Sequence, residues 1–280
     1  MQNSLHSSLL KRGVLGLILL AGAGAASAHR PWMLPTSTIV ENKEAWVTID
    51  GAISEGLFDI DHMPLRMDGA TVTGPDGSTA AAPAAVMGKM RSSIDLPLPK
   101  EGTYRIALVS NNVMGSYKVG EEVKRFRGSE ADFAKQVPAD AKEVRKTITH
   151  QRIETFVTAH KTNDAALKPT NVGLEMVPLT HPNDLRANET MRVRFLLDGK
   201  PLPNLPFSLV PGGVRYRGVA GEIRLATDAK GEASFKLPGA NMYWMNAAYP
   251  PNPGKGPGPD NGPAETKRYA YTATLEALPE

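Results

Sequence analysis

Short runs of strand-forming residues, each ended by turn residues, recur along the chain and limit the folds open to it. In the first half, Ala45–Asp50 and Thr103–Ser110 predict strands, and Pro75-Asp76-Gly77 and Asn111-Asn112 predict turns. In the second half, turns such as Asp198-Gly199-Lys200-Pro201 separate further predicted strands: Gly173–Val177, Thr190–Leu197, Pro206–Val210, Glu222–Ala226, Ala233–Leu237, Asn241–Ala248 and Tyr269–Leu275. Regular short strands joined by such turns are typical of β-sandwiches. The pattern therefore predicts an all-β protein.

One segment of the first half departs from this pattern. Ser129 followed by Asp132 is a helix N-cap pattern, and the stretch up to Lys146 is rich in Ala, Lys, Glu and Asp. We expect one or two short helices here, broken at Pro138. Such a charged segment is most simply an excursion between strands.

The length of the chain and its punctuation predict two domains. Residues 29–280 are enough for one large domain or two ordinary ones, and a polar run that ends at Pro169 indicates a boundary between two. We expect two immunoglobulin- or transthyretin-like β-sandwiches, residues 29–168 with the helical excursion and residues 169–280. The Pro- and Gly-rich stretch 250–263 predicts a loop before the last strand.

Residues 1–28 have the pattern of a cleavable signal peptide. Lys11 and Arg12 precede a short apolar run, Gly13–Gly24, and Ala26-Ser27-Ala28 is a small-x-small cleavage site. We expect cleavage after Ala28 and a periplasmic location. No later segment approaches ~20 apolar residues, so we expect no membrane insertion of the mature chain.

Charge and cysteine content narrow the chemistry of the exported chain. The formal charge of +3 includes Lys11 and Arg12, and residues 1–28 hold no Asp or Glu, so residues 29–280 carry 3 − 2 = +1. Such a charge does not predict nucleic-acid binding. The absence of cysteine excludes disulfides, thiolate metal sites and thiol catalysis. No P-loop, dinucleotide-binding, zinc-protease or serine-hydrolase motif is present, and we expect no enzyme activity.

Cleavage after Ala28 would make His29 the first residue, and a free N-terminal His chelates metal ions. Its α-amine and its Nδ1 can close one chelate ring, and both can be deprotonated near neutral pH. His62 is the predicted partner. Together these two residues offer three nitrogens, a T-shaped histidine brace that suits Cu(II) and is workable for Ni(II).

The neighbours of His62 supply further candidates. Asp61 can provide a ligand oxygen or orient the ring, and the thioether of Met63 suits Cu(I). If residues 57–64 form a strand, Phe58 and Ile60 share a face with His62.

Other histidines and methionines are weaker candidates. His150 could cover the first site, His160 is expected in solvent, and His181 lies in a predicted turn. Met33 is close in sequence to His29, but methionine more often fills core gaps. Trp32 is expected to pack the N-terminus against the sandwich.

Five stretches carry a family resemblance. LDGKPLPNLPFSLV at 197–210 and TDAKGEASFKLPG at 227–239 resemble transthyretin-like and carboxypeptidase-regulatory sandwiches. Together with HRPWMLPTST at 29–38, VTGPDG at 72–77 and GTYRIAL at 102–108, they make residues 29–280 similar to the DUF4198 family. That family is described as a periplasmic component of nickel or cobalt uptake, similar to NikM-type proteins. The resemblance implies a metal-ion cargo and a membrane metal-uptake transporter as partner.

Three functions follow as hypotheses. The first is a periplasmic binding protein for nickel, cobalt or copper, with His29, His62, Asp61 and Met63 as site residues. The second is a histidine-brace copper oxygenase acting on a polysaccharide, which would need an open coordination position and a flat substrate face. The third is a metal-free module that binds a carbohydrate or a protein.

Overall fold

The described residues are mostly β-strand, and the all-β prediction is confirmed. The computed structural model describes residues 29–251 and 264–280. The predicted signal peptide at 1–28 and most of the predicted loop at 250–263 lie outside the described residues. No helix in the described part of the chain has the length and apolar character that a membrane crossing requires.

The strands are short at the start of the chain and long in the middle. In chain order they are β1 Arg30–Pro35, β2 Ile39–Val40, β3 Trp46–Ser54, β4 Met63–Pro64, β5 Thr71–Thr73, β6 Thr79–Ala81, β7 Val86–Met87, β8 Ser92–Pro97, β9 Gly102–Val119, β10 Glu122–Gly128, β11 Lys142–Ala159, β12 Leu174–Pro178, β13 Thr190–Leu197, β14 Lys200–Pro201, β15 Pro206–Pro211, β16 Ile223–Ala226, β17 Glu232–Lys236, β18 Asn241–Tyr249 and β19 Glu265–Ala277. The α-helices are α1 Glu130–Gln136 and α2 Val214–Arg217, and Ala165–Leu167 form a 3-10 turn.

Within the described residues these strands form three sheets. The largest has the order β16-β15-β18-β19-β11-β9-β5-β6, with β10 beside β9 and β2 beside β11. A second sheet has the order β1-β3-β8-β7, with β4 beside β3, and a third has the order β12-β13-β14, with β17 beside β13. The parallel pairing of β11 with β19 therefore joins strands from both halves of the chain.

The two smaller sheets pack on opposite faces of the large sheet. Side chains alternate along β11, so Ile153 and Val157 lie on one face, which we call the front face. There they join the core under the β1-β3-β8-β7 sheet. Phe156 lies on the back face and joins Tyr271 in the core under the β12-β13-β14 sheet. The result is a staggered pair of sandwiches that share one sheet.

The predicted boundary at 168/169 falls between the 3-10 turn and β12. The front-face core draws on residues between 33 and 159, and the back-face core draws mainly on residues between 167 and 277. The shared sheet nevertheless runs through both regions. The division into two independent domains stays a prediction.

The helical excursion forms as one short helix that ends before Pro138. The N–H of Asp132 donates to the Ser129 side chain at 3.1 Å, and this cap begins α1. A second helix before Lys146 is not formed. Lys146 instead pairs with Gly115 in β9, because these residues extend the long β11 ladder.

The turn predicted at Asn111-Asn112 is wrong. β9 runs straight through both asparagines for its full length, with Asn111 opposite His150 and Asn112 opposite Thr149 on β11. The ladder to β11 supplies backbone partners on each side of this point. Those pairings outweigh the local preference of asparagine for turns.

Candidate metal centre

His29 and His62 come together because they flank the same end of β3. β1 pairs with one edge of β3, with Arg30 opposite Ser54. β4 pairs with the other edge, with Met63 opposite Ile53. Each histidine immediately precedes its strand, so the antiparallel register brings both to the last residues of β3.

The two imidazole rings are stacked on each other. Their centroids are 3.9 Å apart and their planes are inclined by 12°. An imidazole nitrogen binds a metal ion in the plane of its ring, so two nearly parallel rings do not both point at one ion. Rotation of one ring about its Cβ–Cγ bond would allow it, and both residues lie exposed at the surface. The fold thus places two imidazoles within reach of a shared ion, in a geometry that must adjust to bind one.

Glu55 lies beside His29 and was not predicted as part of a metal site. Its Oε1 is 3.6 Å from Nε2 of His29. If His29 binds a metal through its amine and Nδ1, Nε2 stays available for a carboxylate that orients the ring. The pairing of β1 with β3 brings Glu55 next to His29. The two residues are far apart in the sequence, so the sequence alone does not indicate their contact.

Asp61 shapes the loop that carries His62. Its two carboxylate oxygens accept backbone N–H bonds from Glu55 at 3.0 Å and from Gly56 at 2.7 Å. A Cβ atom at Gly56 would lie 2.4 Å from Oδ2 of Asp59, so a larger residue there would push this carboxylate aside. These contacts hold Glu55 and His62 at the two ends of one closed loop. A strand across residues 57–62, one option for this stretch, is not formed.

The two candidate methionines have different surroundings. Met63 follows His62 and has 44% of its surface exposed. Met33 is fully buried in the front-face core, where it fills the space between sheets. Of these two thioethers, Met63 is the one that solvent and ions can reach.

The start of β1 is fixed by a small apolar cluster on the front face. Trp32, Ala52 and Leu57 pack against Val210 and Trp244 of the large sheet. Nε1 of Trp32 donates to Oγ of Ser54 at 2.8 Å. Trp32 therefore has the packing role that the sequence suggested, and it fixes the strand that presents His29.

Within the described residues, no group of three or more His, Cys, Asp and Glu side chains is placed to hold one ion. The donors brought together are the two imidazoles, with the Glu55 carboxylate next to His29. The two imidazoles supply two of the three nitrogens of a histidine brace. The third is the α-amine that cleavage after Ala28 would expose on His29.

The family model described as a domain of unknown function (DUF4198) matches residues 26–250. The chain belongs to the DUF4198 family. No curated protein matches the sequence. The match includes the candidate site but carries no description of what a DUF4198 protein binds.

Solved structures give only distant likenesses to this DUF4198 protein. A DUF4785 family protein from Legionella pneumophila aligns with a TM-score of 0.23 at 10% identity, over 77% of this chain and 50% of its own. The chain thus spans about half the length of that relative. The D0-D1 domain of intimin gives a TM-score of 0.23 at 10% identity, over 88% of this chain and 97% of its own. Likenesses at this level carry no functional comparison.

The other histidines of the DUF4198 protein lie away from this site. His150 is on the back face, where its Nδ1 is 2.8 Å from Oδ1 of Asn111 and its ring stacks on Tyr269. His160 follows the far end of β11 and lines the same cleft as Trp46. His150 therefore does not cover the His29 site.

His181 joins the two sandwiches. Its Nδ1 accepts the N–H of Asn183 at 3.1 Å, so the neutral ring carries its proton on Nε2. Nε2 then donates to Oγ1 of Thr103 in β9 at 2.9 Å. Burial lowers the pKa of His181 below its ordinary value, and the Asp184 carboxylate, 3.8 Å from Nδ1, acts in the opposite direction.

This lowered pKa predicts a stability that depends on pH. The unfolded chain takes up a proton at His181 more readily than the folded chain, so the free energy of unfolding falls as pH drops below about 6.5. Above that pH, His181 does not contribute to the pH dependence of the free energy of unfolding. We expect thermal unfolding between about pH 7.5 and 5.5 to show a smaller loss of Tm in His181→Gln than in the parent. The exposed His160→Gln is the control, and equal slopes in parent and His181→Gln would contradict the prediction.

Proposed function

We propose that this DUF4198 protein binds a divalent transition-metal ion, nickel, cobalt or copper, in the periplasm and acts in its uptake or delivery. The observation that supports this is the approach of the His29 and His62 rings to 3.9 Å at the end of β3. Imidazole is a preferred ligand for all three ions. The proposed partner is a NikM-like membrane uptake system that receives the ion.

Each residue of the site has a defined part in this proposal. His29 binds through its α-amine and Nδ1, and His62 supplies the third nitrogen. Glu55 orients the His29 ring through Nε2, and Asp61 holds the loop between them by its two backbone hydrogen bonds. Met63 adds a thioether when the ion is Cu(I).

The scaffold is part of the proposal. We infer that the second sandwich, residues 169–280, is transthyretin-like, with the DGKP turn between β13 and β14. Its strands β15 and β18 supply Val210 and Trp244, which pack against Trp32. The second sandwich thus stabilises the strand that presents His29.

A single inserted residue tests the proposal. Protein beginning at His29 is compared with protein carrying one extra Ala before His29, each titrated with Cu(II), Ni(II) and Co(II) by calorimetry. The insertion keeps both imidazoles but moves the amine away from His29, so the six-membered chelate ring through the amine and Nδ1 of His29 cannot close. We expect the affinity to fall by at least about 100-fold, beyond the 10–100-fold that loss of an outer hydrogen-bond partner produces.

Equal affinity in the two proteins would contradict the N-terminal chelate. Loss of binding below about pH 6 is a second expectation, because protons compete with metal for imidazole and amine. The copper-loaded protein, given peroxide and a polysaccharide, tests the oxygenase hypothesis in the same preparation. Cleavage that depends on the free amine would assign the site to an enzyme instead.

A further inference from the structure

The proposed brace leaves the metal ion incompletely surrounded. Cu(II) and Ni(II) favour square-planar or tetragonal sites, which need at least four donors. His29 and His62 supply three nitrogens, and within the described residues no group of three or more His, Cys, Asp and Glu side chains is placed to hold one ion. At least one coordination position therefore faces outward from the protein.

His29 also lines a cleft on the front face of the large sheet. The cleft has a volume of about 260 Å³ and begins at His29 and Arg30. Its floor is formed by neighbouring strands of the large sheet, with Asn246 opposite Thr272 and Gln151 opposite Ala270. The cleft thus extends from His29 to the middle of the large sheet.

The lining of the cleft combines apolar residues with four uncharged groups that can form hydrogen bonds to oxygen atoms. The amides of Gln151 and Asn246 and the hydroxyls of Ser208 and Thr272 can each donate a hydrogen bond. None of these four groups carries a charge. Ligand pockets typically use a few such polar groups to fix the orientation of a small molecule.

The charges at the cleft favour an anion. The guanidinium of Arg30 lies 5.9 Å from the ring centre of Trp244, which also lines the cleft, and its Nη1 donates to the Glu55 carbonyl at 3.0 Å. The carboxylate of Glu222 is neutralised by Arg224, whose Nε and Nη2 lie 3.0 and 2.9 Å from its Oε2. Among the lining residues this leaves the charge of Arg30, and the Glu55 carboxylate, 3.6 Å from Nε2 of His29, lies outside the lining.

We propose that the protein takes its metal ion as a complex with a small, oxygen-rich anionic chelator of the hydroxycarboxylate class, which occupies this cleft. The inference rests on the proposed function. The chelator's carboxylate and hydroxyl oxygens fill the outward coordination positions, and its remaining oxygens accept hydrogen bonds from Gln151, Asn246 and Arg30. A volume of about 260 Å³ is below the roughly 300–1,000 Å³ of drug-sized pockets, so the cleft suits a molecule of this size.

The test uses protein that begins at His29, Ni(II) as the metal and citrate as the chelator. Native mass spectrometry records whether protein, metal and citrate form one ternary species, and calorimetry gives the affinity for Ni(II) alone and for the preformed Ni(II)–citrate complex. Gln151→Leu and Asn246→Leu remove donors from the cleft floor. Gln136→Leu, at the exposed end of α1, is the matched control.

We expect a ternary species that binds at least about 10-fold more weakly in Gln151→Leu, the loss of roughly one hydrogen bond to a charged group. Affinity for Ni(II) alone should stay unchanged in that variant, and Gln136→Leu should behave as the parent in both measurements. If citrate instead strips Ni(II) from the protein, the chelator inference is overturned and the metal proposal stands. If neither Ni(II) nor its citrate complex binds, both are overturned. Metal-independent citrate binding that persists in His62→Ala would also overturn the inference.

Discussion

Replacing Glu154 by alanine is expected to lower the free energy of unfolding by about 3–5 kcal/mol, the range for removing one partner of a buried ion pair. Glu154 lies on the back face of β11 with 1% of its surface exposed. Its Oε1 accepts Nη1 of Arg152 at 3.0 Å, and its Oε2 accepts the hydroxyl of Tyr271 at 3.0 Å. Nε of Arg105 lies 4.0 Å from the same Oε1 and has no hydrogen-bond partner among the described residues. Alanine would leave two guanidinium groups buried without their counter-charge.

The loss should spread beyond β11, because both arginines also hold the segment before β12. Nη2 of Arg152 donates to Oγ1 of Thr170 at 2.9 Å, and Nη1 of Arg105 donates to the Lys168 carbonyl at 3.0 Å. Burial, reinforced by the charge of Glu154, raises the pKa of Tyr271 well above its ordinary value, so this phenol stays a donor. The network fixes the crossing from the first sandwich to the second.

Urea unfolding followed by tryptophan fluorescence measures the free energy of unfolding. The slope of this free energy against urea concentration should be the same in parent and variant, because a changed slope would mean that the two do not unfold in the same two-state transition. Glu122→Ala is the control, because Glu122 is exposed on β10 and its carboxylate lies 3.7 Å from Nζ of Lys124. Exposed pairs of this kind contribute about 0–1 kcal/mol. A Glu154→Ala loss no larger than that of Glu122→Ala would show that the buried network is not stabilising. Glu154→Gln keeps the shape of the side chain, so its loss in free energy of unfolding should lie between those of Glu154→Ala and Glu122→Ala.

The sequence predicts the class of fold because strand alternation and turn chemistry are local signals. Prediction from the sequence fails where hydrogen bonding between distant strands determines the backbone conformation. Asn111 and Asn112 are an example, because they continue β9 beside β11. The sequence does not predict the buried charges, for a related reason. Glu154 looks like an ordinary surface residue in the run QRIETFV, and its partner Tyr271 lies on β19, far along the chain.

The candidate site was predictable only in part. His29 stands out because it follows a cleavage pattern, and His62 stands out because Asp61 and Met63 flank it. Their approach depends on both edges of β3 being paired, by β1 on one side and by β4 on the other. Such pairing is a tertiary property that strand periodicity does not encode. The same pairing places Glu55 beside His29, which is why its part in the site emerged only from the fold.

His62→Ala is the second large effect expected, measured in protein that begins at His29. Loss of one of three nitrogens should weaken Cu(II) and Ni(II) binding by at least about 100-fold, whereas Glu55→Gln, which alters an outer partner of His29, should fall within the 10–100-fold range. His150→Ala, which removes an imidazole on the back face, is the control and should bind as the parent does. Unchanged metal affinity in His62→Ala would show that His62 does not bind the ion.

The inserted alanine and His62→Ala together decide whether one ion joins the two histidines. If His29 and His62 bind the same ion, their effects are coupled, and the double variant should lose less affinity than the sum of the two single losses. If each histidine binds an ion of its own, the calorimetric stoichiometry should be two per chain and each change should remove one. Asp61→Asn adds the remaining test, because an amide oxygen can accept one of the two loop N–H bonds while the carboxylate charge is gone. A small loss in Asp61→Asn, set against a large loss in Asp61→Ala, would assign Asp61 to holding the loop and not to binding the ion.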